Sequence, residues 1–405
     1  MTAGVFDGIK VAEFAAIAAG PLIGKFMADH GAQVVHVESY ARPDGFRANY
    51  PPFKDNKPGL DRSGAFGICN NNKMDITINL KAPGAIEAAR KLVQWADVVT
   101  ENFTPGTMEK LGLGYEALQE LKPDIIMLST CNQGQSGPHA HHPGFGSHLS
   151  SLCGFTSVTG YPDREPSILY GPYVDHIGVG YGLIALTAAL ENKRVHGQGQ
   201  YIDTAQYEGG IQFLIPALLE QSVNGRTVER DGNRHVFAAP HNTYPCQGED
   251  RWCVISVFDD QEWKGLCEVM GREDMISDAR FATVLARKKH EEELDKEIAA
   301  WTSKQTAETV FHRLQARGVN AGMVQDIGDL FADPQLNHRG IWAPVDHPVV
   351  GKHHAEGPPF ALSKTPFKID KGFPCIGEDN HRVFTEFLGY SEAEFNQMKQ
   401  TGVIG

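Results

Sequence analysis

Short apolar runs alternate with segments of helical spacing along the first third of the chain. Residues 9–14 are apolar over a strand's length, Gly20-Pro21 opens a helical segment that reaches His30, and residues 31–38, G-A-Q-V-V-H-V-E, supply a second strand. The alternation continues as a helix over 84–96, a strand at 97–100, a helix over 115–121 and a strand at 125–129. Strands alternating with helices predict an α/β domain built on a doubly wound, mostly parallel sheet. In such a sheet the loops beyond the strand C-termini form the ligand crevice. Here they begin at Ala15, Ser39, Glu101 and Thr130.

Further on, residues 180–215 read as largely helical, interrupted at 195–199 by a turn-rich link. The composition then changes: a polar, irregular stretch, a strand at 252–258 and several short charged helices up to Arg317 predict a second, smaller α+β domain. The Gly- and Pro-rich stretch 346–377 reads as an extended return to the large domain, ahead of a last helix over 391–400. The predicted boundaries are 1–224 for the large domain, 225–330 for the small one and 331–405 for the return.

Composition narrows the function classes. With 405 residues, 41% hydrophobic and 21% charged, the chain has the make-up of a globular protein. A formal charge of −13 argues against coating nucleic acid, which takes clustered Lys and Arg. An anionic small molecule remains compatible, because a few local cations decide that binding. The seven cysteines show no C-x-x-C spacing and read as reduced thiols. The N-terminus shows no basic segment followed by a long apolar one, and no window reaches the ~18 uncharged apolar residues of a membrane span, so no membrane partner and a cytoplasmic setting are expected.

The chemistry concentrates in residues 167–190, S-I-L-Y-G-P-Y-V-D-H-I-G-V-G-Y-G-L-I-A-L-T-A-A-L, where Asp175 stands at the mouth of an apolar helix. The Pro-Tyr pair keeps the backbone extended ahead of the acid, and Gly178, Gly180 and Gly182 remove side chains where an acyl group could approach. That is the setting of a nucleophilic carboxylate. An aspartate ahead of a helical run is also the ordinary N-cap, and the pattern by itself leaves both readings open. His139-Ala140-His141-His142 gathers imidazoles in a loop, but no cysteine or carboxylate spacing completes a metal site, and no metal is expected. His176 points about 100° away from Asp175 on a helix and reads as structural.

A family resemblance runs through nearly the whole chain. The strings that carry it are G-I-K-V-A-E-F with A-G-P-L, A-D-H-G-A-Q-V-V-H-V-E, N-N-N-K, E-N-F-T-P-G-T-M-E-K-L-G-L-G-Y-E and K-P-D-I-I-M-L-S, then G-Q-S-G-P, S-V-T-G-Y-P-D, the Asp175 segment, G-Q-G-Q-Y-I-D and D-P-Q-L-N-H-R-G-I-W. Each is weak alone; in this order they make the chain resemble a family III coenzyme A transferase of the CaiB/BaiF type. The resemblance implies that Asp175 is the nucleophile, forming an aspartyl-CoA thioester by way of mixed anhydrides. It implies that CoA thioesters are substrates and that no cofactor is permanently bound. It also implies CoA-binding roles for Ala18, Lys73, Asn102, Phe103 and Lys110, with Lys73 and Lys110 facing phosphates.

Departures from the family pattern shape the specificity expected. After Gly232-Asn233-Arg234 the formyl-CoA transferase branch carries a run of glycines, whereas here His235-Val236-Phe237-Ala238-Ala239 follows. Phe237 is therefore expected against a larger acceptor, an aromatic one included. The racemases of the superfamily carry G-H-D where this chain has Gly144-Phe145-Gly146, so α-methylacyl-CoA racemisation lacks its second base, and His148 reads as a polar helix residue. The strings S-T-C-N-Q-G-Q-S-G-P and E-N-F-T-P-G-T-M look closest to the benzylsuccinate CoA-transferases, implying succinyl-CoA as donor and an aromatic succinate derivative as acceptor. The resemblance further implies an interlocked dimer, either of two copies or of this chain with a homologous subunit. A non-catalytic CoA-binding subunit is the alternative of another class.

Overall fold

The apolar runs fold as strands whose side chains are buried on both faces, the signature of a parallel sheet covered by helices. They are β1 (Lys10–Phe14), β2 (Gln33–Glu38), β3 (Met74–Thr77), β4 (Val98–Glu101) and β5 (Ile126–Cys131), with β6 (Tyr201–Ala205) at one edge. The computed structural model describes residues 4–405. Every neighbouring pair in this sheet is parallel, and the order is β3-β2-β1-β4-β5-β6. The winding direction reverses between β1 and β4, which is where such a sheet opens its crevice. Phe14 and Glu101 are register partners there, so the loops after β1 and β4 leave the sheet side by side.

Helices cover the two faces. On one, the helix Ala85–Trp95 buries Ala85, Ala88, Ala89, Leu92 and Val93, a stripe of helical period that packs with Val383, Phe384 and Phe395 from the end of the chain. On the other, Leu22, Ile23 and Met27 of the helix Ala19–Asp29 pack with Val179 and Leu186 of the helix Tyr173–His196.

Two strands of the parallel sheet escape the sequence pattern. β3, M-D-I-T, is buried although two of its four residues are polar, and β6, Y-I-D-T-A, buries only Ile202 because it is an edge strand. The expectation of a largely helical 180–215 is corrected accordingly. The helix begins at Tyr173, ends at His196 before Gly197 with φ 70°, and the chain then adds β6 before the helices Gln206–Ile211 and Ile215–Asn224. The helix Tyr173–His196 is also long and apolar enough, by length and composition, to cross a membrane. Its apolarity serves packing on one face, where Gly178 lies against Gln206 and Gly182 against Ile23.

The chain divides into two compact units. The sheet belongs to the first, which takes in residues up to Phe155, Ile168–Arg226 and Gln335–Gly405. The second, Thr156–Ser167 and Thr227–Pro334, holds an antiparallel sheet of β7 (His241–Pro245), β8 (Trp252–Ser256) and β9 (Asn320–Met323). Its helices close a core around Trp263, Phe281, Leu294, Ile298 and Leu314.

The stretch after Gln335 includes an antiparallel pair, β10 (Trp342–Val345) and β11 (His353–Glu356), and then runs extended. It is fastened by Asn72, whose side chain donates to Asp29 and to the Lys368 carbonyl and accepts from the backbone N–H groups of Asp370 and Lys371. Asn72 itself has φ 63°, a conformation asparagine tolerates better than most residues. The closing helix, Glu392–Gln400, starts from a reciprocal Ser391/Glu394 capping box.

Candidate active site

Asp175 is the third residue of the helix Tyr173–His196, and its backbone N–H donates to the Pro172 carbonyl at 3.1 Å. It sits inside the first turn and makes no cap, so the N-cap reading does not describe it. Burial alone raises its carboxyl from 3.8 to about 7. The helix N-terminus favours the ionised form, and a second one faces it from the helix Gly146–Leu152. A methyl group at Gly146 would lie 2.8 Å from Asp175 Oδ2 and 2.7 Å from Pro172 Cβ. Only a glycine lets the two helix starts meet over the carboxylate.

The glycines after Asp175 need a correction. Gly178 and Gly182 face protein, with added Cβ atoms 3.0 Å from Gln206 and 2.7 Å from Ile23; they are helix-packing residues. Gly180 alone opens onto free space.

At the switch point, Asn102 joins the two loops. Its Oδ1 accepts from Ala16 N at 2.8 Å and its Nδ2 donates to Ala16 O at 2.7 Å, so the side chain pairs with a backbone as a strand would. The Asp44 carboxylate, raised by burial, accepts from Ile17 N at 2.8 Å. Ile17 is held at φ 71°, a strained conformation for a β-branched residue that these two grips over-determine. Ala18 follows, buried, and begins the helix Ala19–Asp29 without any side-chain cap. The first N–H groups of that helix therefore lie at the crevice, where an anion or a polarised carbonyl is stabilised. Phe103 packs on the core beside its loop, and Lys110 is exposed at the end of the helix Thr107–Lys110.

Lys73 is engaged inside the protein. Its ammonium is wholly buried and gives its three N–H groups to Glu13 Oε1 at 2.6 Å, the Pro21 carbonyl at 2.8 Å and Asn70 Oδ1 at 2.9 Å. No donor remains for a phosphate. In the N-N-N-K string Asn70 accepts from Lys73, Lys73 holds the Glu13 side chain of β1, and Asn72 holds the C-terminal return. Phe237 lies in the second unit, 71% exposed, edge-on to His235 at 5.3 Å.

Sequence reasoning missed three residues of this region. Glu101 ends β4 at the crevice, buried, with its carboxyl raised to about 7 by desolvation, and accepts from Phe103 N at 2.8 Å. Asp44 and Gly146 are the others. The position of Glu101 at a strand end was a usable signal; those of Asp44 and Gly146 depend on contacts that only folding creates. His36, Glu38 and Asp75 bring ligand atoms within 4.8 Å of one another, but Arg47 already supplies the cation, donating to Glu38 at 2.8 Å and lying 3.4 Å from Asp75.

Comparison with known proteins gives a consistent result. The model of CoA-transferase family III matches residues 6–380. Succinyl-CoA--D-citramalate CoA-transferase of Chloroflexus aurantiacus is 33% identical over 98% of both chains, and succinate--glutarate CoA-transferase of Agrobacterium fabrum is 33% identical over 94% of this chain and 95% of that one. A CaiB/BaiF family protein from Brucella suis has a solved structure that superposes with a TM-score of 0.87 at 31% identity, covering 96% of this chain and all of the other. With its parallel sheet and a match running through both units, the chain belongs to CoA-transferase family III.

Proposed function

We propose that this enzyme moves CoA from succinyl-CoA to a second dicarboxylic acid through a thioester on Asp175. The observation that carries the reading is the Asp175 carboxylate itself, raised to about 7 by burial and enclosed by two helix N-termini that meet at Gly146. A nucleophile that must form and then release an acyl bond without losing it to water needs such partial exclusion of solvent.

The bonds balance without any external proton. Asp175 attacks the thioester carbonyl, the C–S bond breaks, and a mixed anhydride and CoA thiolate result. The thiolate attacks the aspartyl carbonyl carbon and expels the donor acid, leaving aspartyl-CoA. The acceptor carboxylate then attacks that thioester, and the returning thiolate takes the acceptor's acyl carbon and frees Asp175. The N–H groups at Ala18 and its helix start are suited to the thioester carbonyl, with Asn102 and Phe103 shaping the adjacent loop. Lys110 is exposed and free to meet a CoA phosphate, whereas Lys73 is not.

Similarity to the citramalate and glutarate enzymes supports succinyl-CoA as donor and a short dicarboxylic acid as acceptor. Benzylsuccinate falls within that class as an aryl-substituted succinate. The helix Ile215–Asn224 buries none of its residues and exposes Leu218, Leu219 and Val223, which supports assembly with a second copy or a homologous chain. A native mass measurement giving twice the mass of the chain, or that of a mixed pair, checks this.

The test of the reaction is to incubate the protein with succinyl-CoA and then with hydroxylamine. A hydroxamate on the peptide bearing Asp175 is expected; an unmodified peptide at full CoA occupancy rejects the covalent route and favours a non-catalytic subunit. The pH profile follows from the same carboxylate. The ionised form attacks, so kcat/KM should fall about tenfold per pH unit below about 7 and level off above it.

A further inference from the structure

Beside Asp175 the first unit holds a cleft of about 710 Å³ lined by Gln133, His139, His142, Ser147, His148 and Ser151, with Leu152 and Ile168 as apolar walls. From its position and lining we infer that this cleft receives the remote carboxylate of the dicarboxylic acid, a subsite that rests on the reaction proposed for Asp175.

Three observations lead there. The first is distance. Gly146 touches the Asp175 carboxylate, and Ser147 and His148, next on the same helix, line the cleft. Successive Cα atoms are about 3.8 Å apart, and at about 1.5 Å per C–C bond the carboxyl carbons of a four- or five-carbon diacid lie roughly 4–5 Å apart. A diacid joined through one carboxylate at Asp175 is thus long enough for the other to reach the next residue along that helix.

The second is the balance of polar groups. In a chain of net charge −13, the lining contains no Asp or Glu. Its polar members are three imidazoles, two hydroxyls and one amide, residue types that donate to a carboxylate, although the Ser151 hydroxyl already donates to the Ser147 carbonyl at 3.4 Å. His139 and His142 are already brought together, their rings 4.6 Å apart, on a loop pinned by the buried Ala140 and by a hydrogen bond from His142 N to His139 O. The third is the tautomer of His148. Its Nδ1 accepts from Phe145 N at 3.3 Å, which places the proton on Nε2 and leaves the ring a donor.

The cleft thereby assigns a use to the H-A-H-H loop that neither a metal site nor the reacting carboxylate gives it. It also explains why a diacid would be selected over a monoacid of equal length: a methyl end forgoes the hydrogen bonds that a carboxylate makes with these donors.

The test compares glutarate with butyrate as acceptors at saturating succinyl-CoA, using the full-length protein and the double variant His139→Ala/His142→Ala. Both side chains are exposed, and a thermal unfolding curve of the variant matching the wild type is the check that it folds. The double substitution should raise KM for glutarate at least tenfold, leave kcat within about threefold, and leave kcat/KM for butyrate within about twofold. Gln133→Leu should shift glutarate KM in the same direction, which keeps the test available should the loop variant be unstable. An unchanged glutarate KM in both variants, or equal losses for glutarate and butyrate, overturns the subsite. Failure of the wild-type protein to transfer CoA to any acid overturns the reaction on which it rests, and the subsite with it.

Discussion

Replacing Asp175 by asparagine should reduce CoA transfer by at least about 10⁴-fold while the protein stays folded. The amide keeps the shape of the carboxylate, and Gly146 still admits it. In the proposed reaction it removes the nucleophile: an amide oxygen does not open a thioester, and aspartyl-CoA cannot form. A loss of 10⁴ corresponds to about 5.5 kcal/mol of transition-state stabilisation. The stability change has the opposite sign. A carboxyl raised from 3.8 to about 7 binds its proton more tightly in the folded chain than in the unfolded one, so its favourable contribution is complete below about 3.8 and is lost as pH rises through about 7. At pH 8 the buried charge costs roughly 4 kcal/mol at most, and the amide avoids that cost. Asp175→Asn is therefore expected to be inactive and at least as resistant to urea as the wild type at pH 8, with the difference shrinking toward pH 5. A fully active variant, or one that unfolds more easily at pH 8, contradicts the assignment.

This opposition between stability and activity bears on how much of the site the sequence discloses. The strands with apolar runs, β1, β2, β4 and β5, are legible because both faces of a parallel sheet demand apolar residues, and the order of elements suffices to place a crevice after β1 and β4. Asp175 stands out in the sequence because an acid in an apolar segment violates the local pattern, and such violations gather at functional sites. β3 is illegible for the converse reason. Its Asp75 is fully buried, yet satisfied by Arg47, Gly377 and their neighbours, partners more than 25 residues away in sequence. The same holds for Gly178 and Gly182: a glycine that admits a substrate and one that admits a neighbouring helix are identical in sequence, and only Ile23 and Gln206 tell them apart.

Lys73 is the sharpest case, and its substitution should have the second-largest effect. Resemblance assigns it to a CoA phosphate; the geometry assigns it to Glu13. The two assignments predict different losses. A phosphate-binding lysine, when removed, raises KM for the CoA thioester in a salt-dependent way and leaves the fold intact. A buried lysine, when removed, leaves Glu13 without its cation: its Oε1 keeps only His36, and its Oε2 is already enclosed against Gly24 with no hydrogen bond. Breaking such a pair from one side costs about 3–5 kcal/mol. Lys73→Met is thus expected to lower unfolding stability by that amount, read from urea titration, while the folded enzyme keeps a KM for succinyl-CoA within about twofold of wild type. Adding Glu13→Gln should return a substantial part of the loss, because the uncompensated charge is then gone and the two sites couple directly. A Lys73→Met enzyme of wild-type stability whose KM rises with salt would restore the phosphate role and require the Glu13 cluster to open when CoA binds.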